Sequence, residues 1–163
     1  MKVTVFLGSE SDFGTVEEGL AVLKDFGVPF GLEVTSAHRS PERTLRLVKA
    51  AEAAGTEVFI AVAGKAAHLA GVVAAHTVRP VIGVPVEGEA LAGLDALLST
   101  VQMPKGVPVA TVALGRHGGT NAAILAVEIL ALKDEGLRAK LAVHRAKMAD
   151  KVEAASLKLK EKL

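Results

Sequence analysis

The stretch VFIAVAGKAAHLAG, residues 58–71, decides how this chain reads. Its first six residues are apolar on both alternating faces, with valine, isoleucine and phenylalanine leading. That is the pattern of a strand covered on both sides, as in a parallel sheet. The rest holds only small residues apart from one lysine, one histidine and one leucine. A buried strand running into a loop almost bare of side chains marks a place where backbone comes close to something else.

Working outward, the same alternation recurs. Residues 2–7 (KVTVFL) read as a strand that ends in GSESD. Phe13, Val16, Leu20 and Leu23 then fall at helical spacing, and Gly27 stops that helix. A second strand is expected over 30–35, ending in SAHRS. Ser40 is the expected cap and Pro41 the first residue of a helix that runs to about Gly55. After the strand at 58–63 comes a helix through His76, a strand over 81–84 and a helix over 91–100. Residues 109–114 read as a fifth strand and 121–132 as a further apolar helix. From Gly136 onward Leu137, Leu141, Met148, Val152, Ala155 and Leu159 form one stripe amid many Lys and Glu. This predicts an amphipathic C-terminal helix, with or without one break, able to fold back on its own domain or to pack on another subunit. The expectation is a single catalytic domain over 1–163, with an α/β core over 1–133 and a C-terminal helical extension over 134–163. The core is a parallel sheet covered by helices on both faces.

Composition narrows the function. Half of the 163 residues are hydrophobic, enough for one core without staples. Cysteine is absent, which excludes disulfides, Cys–zinc sites and thiol nucleophiles; a reducing cytoplasm is the expected compartment. The strand pattern begins at Lys2, so no signal or transit segment is expected, and the apolar runs are far too short to span a membrane. A net charge of +1 gives no electrostatic footprint for nucleic acid, and with no Trp or Tyr there is little for bases to stack on.

In an open parallel sheet, ligands bind beyond the carboxyl ends of the strands. GSESD (8–12), SAHRS (36–40) and AGKAAHLAG (63–71) all fall there. GSESD offers backbone N–H groups and two hydroxyls at a helix start, which suits an anion. Asp12 suits either the helix cap or the hydroxyls of a sugar, and plain capping is the simpler use. SAHRS sets His38 beside Arg39: a titratable ring for proton transfer next to a bidentate phosphate partner. The plainer alternative is a solvated turn. In the third loop, Gly64 and the alanines would admit a ligand to the backbone, or would simply allow close packing with Lys65 in water. His68 begins the next helix or just precedes it. His76, His117 and His144 fall in helical or loop contexts where no functional role is expected. No pair of His or carboxylates has metal-ligand spacing, and neither GxGxxG nor GxxxxGK[ST] occurs. The residues alone therefore describe a metal-free α/β domain for a small phosphorylated ligand, with His38 or His68 to move a proton.

Taken together, GSESD, SAHRSPER, AGKAAHLAG, VIGVPV, LAGLDALLSTVQMPKGVPVATVALG and NAAILA resemble the PurE family, the N5-carboxyaminoimidazole ribonucleotide mutases of purine biosynthesis. The resemblance covers roughly residues 2–132, in the same order and almost without gaps. It implies a flavodoxin-like three-layer α/β/α sandwich, a homo-octamer, and a reaction with neither metal nor organic cofactor. In that reaction a carboxylate moves from the exocyclic nitrogen to C4 of the imidazole, through loss and recapture of CO2. His38 of SAHR matches the catalytic histidine. Ser9, Ser11 and Asp12 match the ribose and phosphate loop, and Ser36 and Arg39 the phosphate end, with Ala37 between them among the expected substrate-binding residues. Gly64, Ala66, Ala67, His68 and Leu69 match the wall around the ring and the migrating carboxyl group, and Lys65 between them is counted among the expected substrate-binding residues. The ligand would be a ribonucleotide monophosphate with CO2.

Two positions depart from the family's usual AGGAAHLPG: Lys65 stands for a glycine and Ala70 for the proline. A sister class that carboxylates aminoimidazole ribonucleotide with free CO2 carries a basic residue at the first of these and lacks the proline. That class usually lacks the histidine kept here as His68, however, and VQMP (101–104) is typical of the mutases. Such a carboxylase, or a non-catalytic nucleotide-binding homologue, is the alternative. Gly115, Gly118 and Gly119 around His117 predict a loop before Asn121.

Overall fold

The structure, a computed structural model, describes residues 1–162. Five strands, β1 (Val3–Leu7), β2 (Phe30–Val34), β3 (Val58–Ala63), β4 (Val81–Pro85) and β5 (Ala110–Thr111), alternate with helices. The helices between and after them are α1 (Phe13–Phe26), α2 (Pro41–Ala53), α3 (Leu69–Ala75), α4 (Leu94–Val101) and α5 (Gly115–Ala131), and α6 (Glu135–Lys160) follows. The strands form one sheet in the order β2-β1-β3-β4-β5, and every pairing is parallel. This is the doubly wound order of flavodoxin-like folds, with its switch point between β1 and β3.

The central strands earn their place by burial. All of β1 and β4, and all but the last residue of β3, are buried, whereas the edge strand β2 is half-buried to exposed. Phe6 and Phe59 stack with ring centroids 5.7 Å apart in a cluster with Val48, Ala51, Leu69 and Val73. Each fully buried side chain of this size contributes ~1.5–3 kcal/mol relative to exposure. Gly27, at φ 74, ends α1 with its N–H on the Leu23 and Lys24 carbonyls.

Contacts divide the chain into two compact units, Met1–Val127 and the residues from Glu128 onward. In the second, Asp134 caps α6 by accepting from the Leu137 N–H at 3.0 Å, and Arg145 pairs with Glu128 at 2.9 Å. The helix is continuous, without the break the sequence allowed. No residue on it is buried, and the stripe is exposed at Met148, Val152 and Leu159.

Several boundaries differ from the sequence reading. The fifth strand is two residues, Ala110–Thr111, and not six. The fourth helix starts at Leu94 and not 91. The glycines expected to form a loop before Asn121 lie inside α5, which begins at Gly115 with φ 63. The cause is close approach. A Cβ on Gly118 would stand 1.7 Å from the Ala113 carbonyl oxygen, and one on Gly119 2.0 Å from that of Thr15. A Cβ on Gly19 would in turn meet the Gly119 carbonyl at 2.4 Å, so α1 and α5 cross backbone to backbone.

Candidate active site

Four loops at the carboxyl ends of β1 to β4 enclose a cavity of about 710 Å³ at the switch point. Its wall comprises Gly8, Ser9, Ser11 and Asp12 from the first loop, and Ser36, Ala37, His38 and Arg39 from the second. Ala63, Gly64, Lys65, Ala66 and Leu69 come from the third, and Val86, Glu87 and Gly88 from the fourth. A drug-sized ligand or a mononucleotide fits a volume of this order.

The first loop winds into a single 3₁₀ turn, Glu10–Asp12, as a reciprocal capping box. The Ser9 N–H donates to Asp12 Oδ2 at 2.9 Å, while Ser9 Oγ accepts from the Ser11 N–H at 3.4 Å and the Ser11 hydroxyl at 2.9 Å. Asp12 makes no side-chain cap bond to α1, although it occupies the cap position. It is only 8% exposed. Burial pushes its carboxyl above the ordinary aspartate value, with the Ser9 N–H pulling weakly the other way.

The second loop is tied by hydroxyls. Ser36 N–H donates to Ser40 Oγ at 3.0 Å, and the Ser40 hydroxyl donates back to the Ser36 carbonyl at 3.2 Å. Ser40 thus occupies the cap position of α2 without capping it, contrary to the sequence reading, because its oxygen is committed to Ser36. Ser36 Oγ accepts from Arg39 N–H at 3.2 Å and Arg39 Nε at 3.4 Å, and the same guanidinium reaches the Gly8 carbonyl at 3.3 Å. Arg39 therefore bridges the first two loops with donors to spare for an anion.

The third loop holds itself by backbone. Ala67 N–H donates to the Lys65 carbonyl and His68 N–H to that of Ala66, both at 2.8 Å, in two consecutive tight turns. Lys65 takes φ 56, the left-handed region that costs a non-glycine residue roughly 1–2 kcal/mol. Gly64 lies close to the fourth loop: a Cβ there would sit 3.4 Å from Val86 Cβ.

Two side chains from different loops then meet. His38 Nε2 lies 2.8 Å from His68 Nδ1, with the rings edge to face at 80°. One ring must donate and the other must present a lone pair. The pair can carry one positive charge with its contact intact, since a second protonation would set N–H against N–H. His38 lies on the cavity wall; His68, just ahead of α3 and expected on the wall, is exposed outside the cavity lining and is tied to the site through its contact with His38. Ala67 is buried behind the wall. Val86, Glu87 and Gly88 are absent from the sequence-derived set, although their position after a strand's carboxyl end is the signal that could have found them. Among the described residues, His76, His117 and His144 belong to no cluster of three His, Asp or Glu able to hold a metal ion, and no helix is long and apolar enough to cross a membrane.

The fold and site define a flavodoxin-like α/β/α protein with a cleft at its switch point that holds Arg39, Lys65, Asp12 and Glu87 among small residues, and with His38 of a histidine pair on the cleft wall. The family model for AIR carboxylase matches residues 2–151, and the chain belongs to that family. It is 55% identical to an N5-carboxyaminoimidazole ribonucleotide mutase of Methanocaldococcus jannaschii, over 98% of each chain. It is 45% identical to the Escherichia coli protein of the same name, over 93% of this chain and 89% of that one. A crystal structure of a Treponema denticola PurE2 variant superposes with a TM-score of 0.89 at 29% identity, covering 98% of this chain and 99% of the other.

Proposed function

We propose that this chain is an N5-carboxyaminoimidazole ribonucleotide mutase of purine biosynthesis. The observation that carries the reading is the 2.8 Å contact of His38 and His68 at the wall of a mononucleotide-sized cleft. Relatives of the same name along nearly the whole chain support it.

The chemistry needs one proton used twice. Loss of CO2 from the exocyclic carbamate leaves electrons on nitrogen, which take a proton to give the amine. C4 of the electron-rich ring then attacks the trapped CO2, forming the new C–C bond and leaving C4 bearing both hydrogen and carboxylate. Removal of that hydrogen restores the aromatic ring, and the proton count closes. His38 gives and retakes the proton, while His68 holds its orientation and shares the charge. Such acid–base help supplies typically ~10²–10⁴-fold. Holding CO2 beside its acceptor adds effective molarity, which can reach ~10⁵ M or more.

Arg39, Ser36 and the first loop suit the phosphate, and the buried Asp12 suits the ribose hydroxyls. Ala37, Gly64, Lys65, Ala66, Ala67 and Leu69 form and back the wall on which ring and CO2 lie. The reading extends to a homo-octamer in the cytoplasm. Exposed Leu91, Leu94, Leu98 and Val101, at helical spacing about α4, support contact between copies.

The test is a two-substrate assay. Purified protein given N5-carboxyaminoimidazole ribonucleotide should form the C4-carboxylated product. Turnover of aminoimidazole ribonucleotide with free CO2 alone would instead assign the carboxylase, and tight binding without either turnover would sink the enzyme reading.

A further inference from the structure

Beneath the second loop lie two threonines that the proposed chemistry does not use. Thr44, on α2, is fully buried and Thr35, just after β2, is 2% exposed; their hydroxyl oxygens are 2.8 Å apart. Thr44 also reaches the Ser40 carbonyl at 3.2 Å, and Thr35 the Ser40 hydroxyl at 3.4 Å; within the pair either hydroxyl can donate. Ser40 in turn donates to the Ser36 carbonyl and accepts the Ser36 N–H. The network of bonds thus runs from the core to the residue two before His38. A buried hydroxyl pair at this depth is no better for packing than a pair of valines of the same shape, so its bonds to the loop ask for another reason.

We infer that the Thr35–Thr44 pair is a positioning element for His38: acting through Ser40, it locks the backbone of residues 36–39 in the form that sets His38 Nε2 against His68 Nδ1. The inference rests on the proposal that His38 moves the proton, but it concerns which groups aim that ring. Its reach is short, because the two histidines come from different strands' loops and a displacement of about 1 Å can cost a reaction ~10²-fold. The third loop offers His68 from a frame of its own, so all adjustment of the contact falls on the second loop.

The experiment compares three proteins. Thr35→Val/Thr44→Val replaces both partners by apolar groups of like shape and leaves no hydroxyl unpaired, so it should melt near the wild-type temperature. Its kcat should fall by roughly 10- to 100-fold with a smaller change in KM. The coupling between His38 and His68 ring nitrogens across their hydrogen bond, read by 15N NMR, should be lost. Thr44→Ser keeps the hydroxyl and should retain both kcat and coupling. If the double variant melts early, Ser40→Ala takes its place, removing both bonds of the Ser40 hydroxyl to Ser36, with the same losses expected. Wild-type kcat and an intact coupling in the valine pair, or in Ser40→Ala, would overturn the inference. Should the unaltered protein turn over neither substrate, the proposed function fails, yet the coupling still decides whether the threonines position His38.

Discussion

The second and third loops each deliver one histidine to the same contact, and they are built by opposite means. Ser36, Arg39 and Ser40 hold the second with side-chain bonds to one another and to neighbouring backbone. The third has almost no side chains to use. It is held by two successive backbone turns, by the small size of Ala66 and Ala67, and by Lys65 in a left-handed conformation. A loop tied by side chains is adjustable residue by residue, so its histidine suits the group that must meet reacting atoms. A loop tied by its own backbone gives a flat wall and a fixed partner. The difference predicts that substitutions in the second loop act on chemistry, and those in the third act first on shape.

The largest test of that asymmetry pits the two histidines against each other. His38→Asn should lower kcat by roughly 10²–10⁴-fold while leaving nucleotide binding largely intact, since the proposed role of the ring is proton transfer and not holding the phosphate. His68→Asn should cost less, about 10-fold, because an amide can still offer His38 a hydrogen-bond partner. Single-turnover kinetics with a separate binding titration would check both. Equal losses in the two variants would abolish the distinction between the loops, and near wild-type rates in His38→Asn would remove its assignment.

A middle-sized effect belongs to the first loop, which shares the side-chain ties of the second. Asp12 is held by the Ser9 N–H in a setting where burial raises its carboxyl above 3.8. A raised acid favours folding fully below its unfolded value and loses that contribution as pH climbs through the folded one. Asp12→Asn keeps an acceptor for Ser9 and sheds the desolvated charge, so its melting temperature should gain on wild type as pH rises from about 4 to 7. The same variant should raise KM for the nucleotide by roughly 10-fold, the worth of a charged hydrogen bond to a sugar hydroxyl. A melting difference that stays flat with pH would show that burial does not govern this carboxyl.

Much of this fold is legible in the sequence. Continuous apolar runs at 58–63 and 81–84 and helical spacing between them require a parallel sheet, and the three unusual loops mark its ligand end. What stayed hidden has physical causes. Gly119 looks like a loop residue because nothing local distinguishes a flexible glycine from one stripped for a helix crossing; only the Thr15 carbonyl 2.0 Å from a would-be Cβ tells them apart, as the Ala113 carbonyl does for Gly118. Ser40 looked like a cap because its sequence neighbours cannot show that Ser36 claims its hydroxyl. Val86, Glu87 and Gly88 carry no pattern of their own and join the site only because β4 stops beside β3. The pairing of His38 with His68 needs two loops 30 residues apart to be placed in space.

Lys65 gives the smallest and most discriminating effect. If the third loop is held by backbone alone, its identity as lysine should matter little to the histidine contact. Lys65→Gly relieves the left-handed cost of roughly 1–2 kcal/mol but adds unfolded-state freedom worth roughly 0.5–1 kcal/mol. The net gain, of order 0.5–1 kcal/mol, should lift Tm by about 1–4 °C. kcat should stay within about threefold of wild type, because neither histidine moves. KM for the anionic nucleotide should rise by no more than about fivefold, the ceiling for one exposed charge, and that rise should fade in high salt. A lower Tm would mean that the lysine stem braces the loop, and a collapse of kcat would mean that its ammonium touches the reacting groups. Either result would move the third loop into the class of the second, held and tuned by its side chains.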